Sequence, residues 1–133
     1  MNDYSFFSSP IGLGHVTRDI AIVNNFKNIS INFITGNGAA KILKKLDYKV
    51  QDVYNPPSFI IESGTLKNPA KWLCNYYQYY RDCKNISEEL LQKDKPNLVI
   101  SDEDFASLTV AQNIKIPTVL VTDVFETHFT KGI

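Results

Sequence analysis

Apolar residues recur along this chain with two different periods, and the two kinds of segment alternate. Two-residue alternation, or a short apolar run that ends at a turn signal, predicts strands over residues 4–8, 29–35, 49–54, 98–101 and 118–121. Spacings of three and four residues predict helices that begin near residue 15 and cover 39–46, 69–93 and 104–113. Residues 55–68 carry Pro56-Pro57 and Ser63-Gly64 without a clear period, so we expect a long loop there.

Strands that alternate with helices pair in parallel and are joined by right-handed crossovers. The sequence therefore predicts a doubly wound, Rossmann-like α/β fold of three layers, with a mostly parallel sheet in the strand order 3-2-1-4-5. In such a sheet the ligand binds beyond the carboxyl ends of the first and fourth strands, where the winding direction reverses. The residues that follow these two strands are the candidates for a functional site.

Composition agrees with a single globular domain. The chain has 133 residues, of which 44% are hydrophobic, and we expect one domain over residues 1–133. The 14 basic and 14 acidic side chains balance, which argues against a nucleic-acid partner. No apolar run approaches the roughly 20 residues of a membrane-spanning helix, and the first residues lack the features of a secretory signal. We therefore expect a cytoplasmic protein.

The two cysteines, Cys74 and Cys83, both belong to the helix predicted over 69–93. That spacing places them about 13 Å apart along a helix, whereas a disulfide needs α-carbons within roughly 7 Å. The spacing also fits neither a redox C-x-x-C motif nor a zinc site. We expect two buried, reduced thiols.

Two residues beyond the first and fourth strands suit proton transfer. His15 lies at the amino end of a predicted helix, where unpaired amide groups disfavour an imidazolium ion, so we expect a neutral ring. Asp102 follows the fourth strand and can accept the other imidazole N–H, which fixes the tautomer and orientation of the ring. Such a pair can remove a proton from a hydroxyl group. Gly12 and Gly14 let the backbone turn tightly and approach a ligand.

The same glycines do not form a known nucleotide-binding motif. Thr17 stands where a dinucleotide fingerprint needs its third glycine, and the second strand ends in Thr35-Gly36 rather than an acidic residue. The chain has no G-x-x-x-x-G-K-[ST] sequence, which excludes a P-loop. Ser8-Ser9 does not supply the acidic residues that a phosphate-accepting receiver domain needs after its first strand.

Residues 12–19, with the sequence GLGHVTRD, resemble the G-x-G-H-x-x-R segment that opens a branch of the GT-B glycosyltransferases. That branch is similar to the lipid-linked N-acetylglucosaminyl transferase of peptidoglycan synthesis and is common in archaea and bacteria. Further resemblances follow in the family's order at residues 33–36, 39–40, 96–102 and 111–123. The segment over 96–102 is similar to the family's P-D-L-V-I-S-D segment. The resemblance spans residues 6–123.

The resemblance implies the amino-terminal, acceptor-binding half of an inverting enzyme that moves a sugar from a nucleotide-sugar to an acceptor hydroxyl. His15 is then the general base, and Asp102 is its partner or an acceptor contact. The donor is implied to be UDP-linked, with no metal or other cofactor. The acceptor is implied to be a sugar or a lipid-linked molecule.

The other candidate residues follow from the resemblance, for the two glycines, and from position at the predicted edge of the sheet, for the rest. Gly12, Gly14 and Arg18 are expected near the donor phosphates, and Ser9, Glu103 and Asp123 near the acceptor. Residues 9–11 depart from the family, which is often richer in glycine there. The donor-binding domain is absent from the sequence, so we expect this chain to be inactive alone and to be completed by a second domain or a separate subunit.

Several of these residues also have a structural interpretation. His15 can cap its helix or be a hydrogen-bonded structural residue, and Asp102 can be the N-cap or a first-turn carboxylate of the helix that follows it. Arg18 can form a surface ion pair with Asp19 or with a neighbouring loop instead of contacting a phosphate. The sequence does not choose between these interpretations and the functional ones.

The helix over 69–93 carries more aromatic and aliphatic residues than one core-facing stripe holds. We expect the long loop or a second copy of the chain to cover the excess. The alternative is an acceptor or membrane-contact surface bordered by Lys67 and Lys71. A homodimer and a peripheral position at the inner face of the membrane are therefore both hypotheses.

Two other functions compete with the transferase half. One is a non-catalytic recruiting subunit of a split glycosyltransferase, and the other is a nucleotide-binding Rossmann domain of another enzyme. Residue types at Asp123, Glu126 and His128 suggest a metal site, which we do not expect for this fold.

Overall fold

A computed structural model of the chain describes residues 3–11, 13–57, 61–62, 65–66 and 68–122. Its strands are β1 (Tyr4–Ser8), β2 (Ile31–Thr35), β3 (Val50–Asp52), β4 (Ile61–Glu62), β5 (Thr65–Leu66), β6 (Leu98–Asp102) and β7 (Thr118–Val121). Five of them form one parallel sheet in the order β3-β2-β1-β6-β7. Because β4 and β5 lie outside this sheet, the order is the predicted 3-2-1-4-5.

The segment over 55–68, predicted as a loop, differs from the expectation. β4 and β5 pair there in antiparallel register, with Ile61 opposite Leu66 and Glu62 opposite Thr65. Strands of two residues are too short to show a hydrophobic period, so the sequence pattern does not indicate them.

Helices cover both faces of the sheet. They are α1 (Gly14–Val23), α2 (Asn37–Lys45), α3 (Pro69–Lys93) and α4 (Phe105–Asn113). The buried core divides into two clusters, one between the sheet and α1 and α2, the other between the sheet and α3 and α4. Phe6 belongs to the first cluster and Phe7 to the second, because successive strand residues point to opposite faces. The predicted three-layer α/β arrangement is confirmed.

The two central strands, β1 and β6, end side by side. Ser8 pairs with Asp102 in the parallel register, and the backbone N–H of Ser9 donates to the Asp102 carbonyl oxygen at 3.2 Å. β6 is one residue longer than predicted and ends at Asp102, before α4 begins at Phe105. A short loop leads from β1 to Gly14, the first residue of α1. The topology therefore brings the start of α1 to the end of β6.

The amino-terminal half of α3 lies largely outside the core. Both cysteines are free thiols, as the spacing predicts, but Cys74 is exposed and only Cys83 is buried. The prediction of two buried thiols was wrong because the buried residues of α3 begin at Cys83. Leu73 and Tyr77 are exposed on the same half of the helix. Across the described residues, no helix has both the length and the apolar character needed to cross a membrane.

Candidate active site

His15 and Asp102 meet at the carboxyl edge of the sheet. The Nδ1 atom of His15 lies 3.2 Å from Oδ1 of Asp102. The Asp102 side chain is fully buried, whereas the His15 side chain keeps 22% of its surface exposed. When the imidazole carries its proton on Nδ1, it donates to a buried carboxylate and keeps Nε2 as a hydrogen-bond acceptor. The pair therefore has the geometry of an oriented general base.

Arg18 binds the same carboxylate from the next turn of α1. Its Nε donates to Oδ2 of Asp102 at 3.3 Å, and a terminal guanidinium nitrogen donates to Oδ1. These charge-assisted hydrogen bonds orient Asp102. A surface ion pair between Arg18 and Asp19 is excluded because Asp19 is fully buried. A contact between Arg18 and the donor phosphates stays a prediction.

The environment of Asp102 favours its ionised form. Burial by itself raises the pKa of Asp102, but hydrogen bonds from Asp19 and Arg18, together with the Arg18 charge, outweigh it and lower the pKa overall. Asp102 does not cap α4, because Asp104 occupies the N-cap position of that helix. The structural interpretation of Asp102 as a helix cap was therefore wrong.

Glu103 follows Asp102 in a left-handed backbone conformation, with φ at 50°. Residues other than glycine adopt this conformation rarely, and such strain clusters at functional sites. Its Oε2 lies 3.6 Å from Nε2 of His15, and its Oε1 accepts a hydrogen bond from the Thr122 hydroxyl at 3.1 Å. Glu103, predicted to contact the acceptor, thus lies beside the second nitrogen of the imidazole.

The remaining predicted residues divide into two groups. Ser9 and Gly14 lie at the same edge of the sheet, where the Ser9 hydroxyl accepts the backbone N–H of Ile11 at 3.4 Å. A β-carbon on Gly14 would meet no heavy atom within 4 Å, so the space at the start of α1 is open. Gly12 and Asp123, predicted near the donor phosphates and the acceptor, lie outside the described residues.

A cleft of about 330 Å³ adjoins His15. This volume falls within the range of small-molecule sites, about 300–1,000 Å³. Its polar lining residues are Ser9, His15 and Glu103, and its apolar and aromatic lining residues are Ile11, Trp72, Tyr76 and Phe105. The Trp72 and Tyr76 rings stack with their centroids 5.3 Å apart. The cleft therefore suits an apolar ligand that presents a polar group to the imidazole.

Two other cavities, of about 310 and 330 Å³, are close to it in size. One lies between α3 and the segment after β3, and the other lies between α3 and strands β1 to β3. Neither is lined by His15, Asp102 or Glu103. The chemistry of the lining residues, rather than the volume, selects the cleft beside His15.

Asp19 is a residue of the site that the sequence interpretation missed. It is buried in α1 together with Val16 and Val23. Burial, followed by the neighbouring Asp102, raises the pKa of Asp19 to about 9. A signal was present in the sequence, because position 19 lies three residues after Val16 and four before Val23. An acidic residue at that spacing falls within the buried stripe of the helix.

The aromatic side of the cleft was predicted only in part. Trp72 and Tyr76 belong to the helix surface that the sequence offered as an acceptor contact. Phe105 was missed because a single aromatic residue at the start of a helix shows no period. Packing of α3 beside α4 brings the three rings to one cleft.

The described residues contain no group of three or more His, Cys, Asp or Glu side chains arranged to hold a metal ion. Asp123, Glu126 and His128 lie outside the residues that the structure describes. The expected independence from metal ions stays a prediction.

No family model and no curated protein matches the sequence. Comparison of the fold with solved structures finds glycosyltransferases. CalG4, the calicheamicin glycosyltransferase, matches with a TM-score of 0.65 and 17% identity, over 98% of this chain and 36% of its own. MurG from Acinetobacter baumannii matches with a TM-score of 0.60 and 13% identity, over 89% of this chain and 33% of its own.

At these identities the matches show the fold alone. The C-terminal domain of a hydrogenase from Pyrococcus furiosus also matches, with a TM-score of 0.61 and 13% identity, over 90% of this chain and 89% of that domain. The resemblance to GT-B glycosyltransferases is thus confirmed for the fold, which a protein of another function shares. The chain spans about a third of the length of CalG4 and MurG.

Proposed function

We propose that this chain is the acceptor-binding half of an inverting glycosyltransferase, with His15 as the general base. One observation carries the proposal: Nδ1 of His15 lies 3.2 Å from a buried carboxylate, and the same ring borders a cleft. An imidazole held in this way accepts a proton on Nε2. The similarity of fold to CalG4 and MurG supports the class of reaction.

In the proposed reaction the acceptor hydroxyl lies in the cleft against Nε2 of His15. The hydroxyl oxygen attacks the anomeric carbon of the nucleotide-sugar while Nε2 takes the hydroxyl proton. The bond from the anomeric carbon to the diphosphate oxygen breaks, and the diphosphate leaves on the opposite face, so the anomeric configuration inverts. Asp102 stabilises the imidazolium ion that forms, and Arg18 orients that carboxylate.

The donor diphosphate is proposed to approach the amino end of α1. The first amide groups of a helix and its dipole attract phosphate groups. The open space in front of Gly14 supports such an approach. Since the chain spans about a third of CalG4 and MurG, most contacts to a UDP-linked donor are assigned to a second domain or subunit.

The acceptor is proposed to carry an apolar ring or chain next to the hydroxyl that reacts. Trp72, Tyr76 and Phe105 give the cleft an aromatic side on which such a group can stack or pack. Glu103 lines the same cleft and can accept a hydrogen bond from a second hydroxyl of the acceptor. A lipid-linked sugar and a phenol both meet this description.

The test is the substitution His15→Ala in this chain combined with its donor-binding half. Removal of the general base is expected to lower turnover by about 10²-fold or more. Lys45→Ala, an exposed change on α2, is the control and should leave turnover unchanged. Initial rates with UDP-sugars are measured on lipid-linked and on phenolic acceptors, so the same assay also separates the two acceptor classes.

The competing functions give different results in this assay. Unchanged turnover in His15→Ala would remove His15 from the mechanism. If the chain binds an acceptor but no donor-binding half transfers a sugar to that acceptor, the result would favour a recruiting subunit. Binding of a nicotinamide cofactor or a free nucleotide to the chain alone would favour a Rossmann domain of another enzyme. The match to the hydrogenase domain is the reason to test this alternative.

A further inference from the structure

Asp19 lies beside the His15–Asp102 pair but has no place in the mechanism above. Its side chain is fully buried, and no donor of the described residues lies within hydrogen-bond geometry of either carboxyl oxygen. The polar groups around it are the Ser8 hydroxyl of β1, the Asp102 carboxylate of β6 and the Arg18 guanidinium of α1. A buried carboxylate ion without a donor is strongly disfavoured.

We propose that Asp19 is a positioning residue whose protonated carboxyl group donates a hydrogen bond to Asp102 and so holds Asp102 against His15. A single proton turns two mutually repelling acceptors into a donor and an acceptor. It also gives a hydrogen-bond partner to a buried carboxyl group whose oxygens have none by geometry among the described residues. The positioning role rests on the proposed function of His15, whereas the protonation of Asp19 does not.

The geometry of α1 supports this arrangement. His15, Arg18 and Asp19 occupy positions i, i+3 and i+4 of the helix, so they share the face that meets Asp102. The imidazole N–H, the guanidinium and the carboxyl O–H together supply the donors that an ionised Asp102 can accept.

The electrostatics of the two carboxyl groups agree with it. Burial and the neighbouring Asp102 raise the pKa of Asp19 to about 9. Apart from burial, the hydrogen bond from Asp19 has the largest effect on the pKa of Asp102, and it lowers that pKa. One group of the pair is therefore neutral and the other ionised near neutral pH.

Carbon-13 NMR of the carboxyl groups tests the proton directly in the wild-type chain. The Cγ resonance of Asp19 is expected at the position of a protonated acid from about pH 5 to about pH 8, and that of Asp102 at the position of a carboxylate. An ionised Asp19 throughout this range would overturn the proposal. The measurement needs no sugar transfer, so failure of the transferase proposal would be seen separately.

Two substitutions separate positioning from a general role in folding. Asp19→Asn keeps an N–H donor for Asp102, whereas Asp19→Leu removes the donor at similar size. In Asp19→Leu the pKa of Asp102 is expected to shift upward and the His15 ring nitrogens to change their NMR shifts. Asp19→Asn should restore both signals, and identical Asp102 titrations in all three proteins would overturn the positioning role.

Isoelectric focusing of the native chain gives an independent result. If Asp19 carries a proton, Asp19→Asn leaves the net charge and the native isoelectric point unchanged. Asp52→Asn is the matched control, because Asp52 is an exposed carboxyl group on β3, and its loss should raise the isoelectric point. An equal shift in Asp19→Asn would overturn the proposal.

Discussion

Three side chains of one helix converge on the carboxyl group of Asp102. His15 and Arg18 contact it directly, and Asp19 lies next to it in the core. Asp102 is itself fixed by strand pairing, since it ends β6 opposite Ser8. The orientation of the imidazole therefore depends on one buried carboxylate, and the chemistry proposed for His15 depends on the charge of that carboxylate.

Asp102→Asn is expected to lower turnover of the combined enzyme by about 10²-fold or more while the chain stays folded. Asparagine has the same size but no charge, so it neither stabilises an imidazolium ion nor gives Arg18 a counter-charge. Nitrogen-15 NMR of the His15 ring should show a change in the population of its tautomers.

The control for this change is Asp82→Asn, which alters an exposed residue of α3. It should leave both the His15 signals and turnover at wild-type values. Full turnover in Asp102→Asn, with the tautomer of wild type, would contradict the proposed role of Asp102.

The start of α1 is the element that a donor phosphate would meet. Leu13 occupies the N-cap position, and no side-chain hydrogen bond caps the helix. The first turn also contains no acidic residue. Among the described residues, the amide groups at this end therefore have no side-chain cap that would compete with an anionic ligand.

Two glycines at helix starts are expected to respond to alanine in opposite ways. A β-carbon on Gly36, at the start of α2, would lie 1.8 Å from the backbone oxygen of Tyr54, so Gly36→Ala should lower the free energy of unfolding by about 3 kcal/mol. Gly14→Ala meets open space and should change it by less than about 1 kcal/mol. Urea denaturation of the isolated chain measures both values.

The function of Gly14 is then tested by kinetics of the enzyme that this chain forms with its donor-binding half. If the donor approaches the start of α1, Gly14→Ala should raise the KM for the nucleotide-sugar although the fold is unaffected. An unchanged KM would place the donor elsewhere.

At the scale of the whole molecule, buried carboxyl groups set how stability depends on pH. Burial raises the pKa of Asp19 to about 9 and also raises the pKa of Asp104. An aspartate in the unfolded chain has its ordinary pKa of 3.8, so above that pH folding takes up protons. The free energy of unfolding should therefore fall as the pH rises from about 5 to about 8, by up to about 1.4 kcal/mol per pH unit for Asp19, and Asp104 adds to the fall in the same direction.

Asp102 acts in the opposite sense, because folding lowers its pKa. Its contribution to the free energy of unfolding is present above the pKa of an unfolded aspartate and is lost as the pH falls through the lower pKa of the folded chain. Maximum stability is therefore expected at mildly acidic pH. Urea unfolding at a series of pH values measures the curve, and Asp19→Asn should make it flatter. A wild-type curve that is level from about pH 5 to about pH 8 would contradict the protonation of Asp19.

Much of the architecture could be predicted because periodicity reports burial. The alternation of strand and helix patterns gave the sheet order, and the rule for parallel sheets placed residues 15 and 102 at one edge. The antiparallel pair of β4 and β5 could not be predicted, since strands of two residues carry no period. The exposure of Cys74 could not be predicted either, because it depends on where α3 leaves the core.

The sequence by itself determined the order of the elements and the position of His15 and Asp102 at the same edge of the sheet, because both follow from local pattern and from the handedness of parallel crossovers. Only the tertiary structure decided what surrounds that pair: the burial of Asp19, the turn of Arg18 onto Asp102 and the aromatic side of the cleft. Protonation and cleft shape depend on distances between side chains of different elements. Those distances exist only once the helices have packed on the sheet.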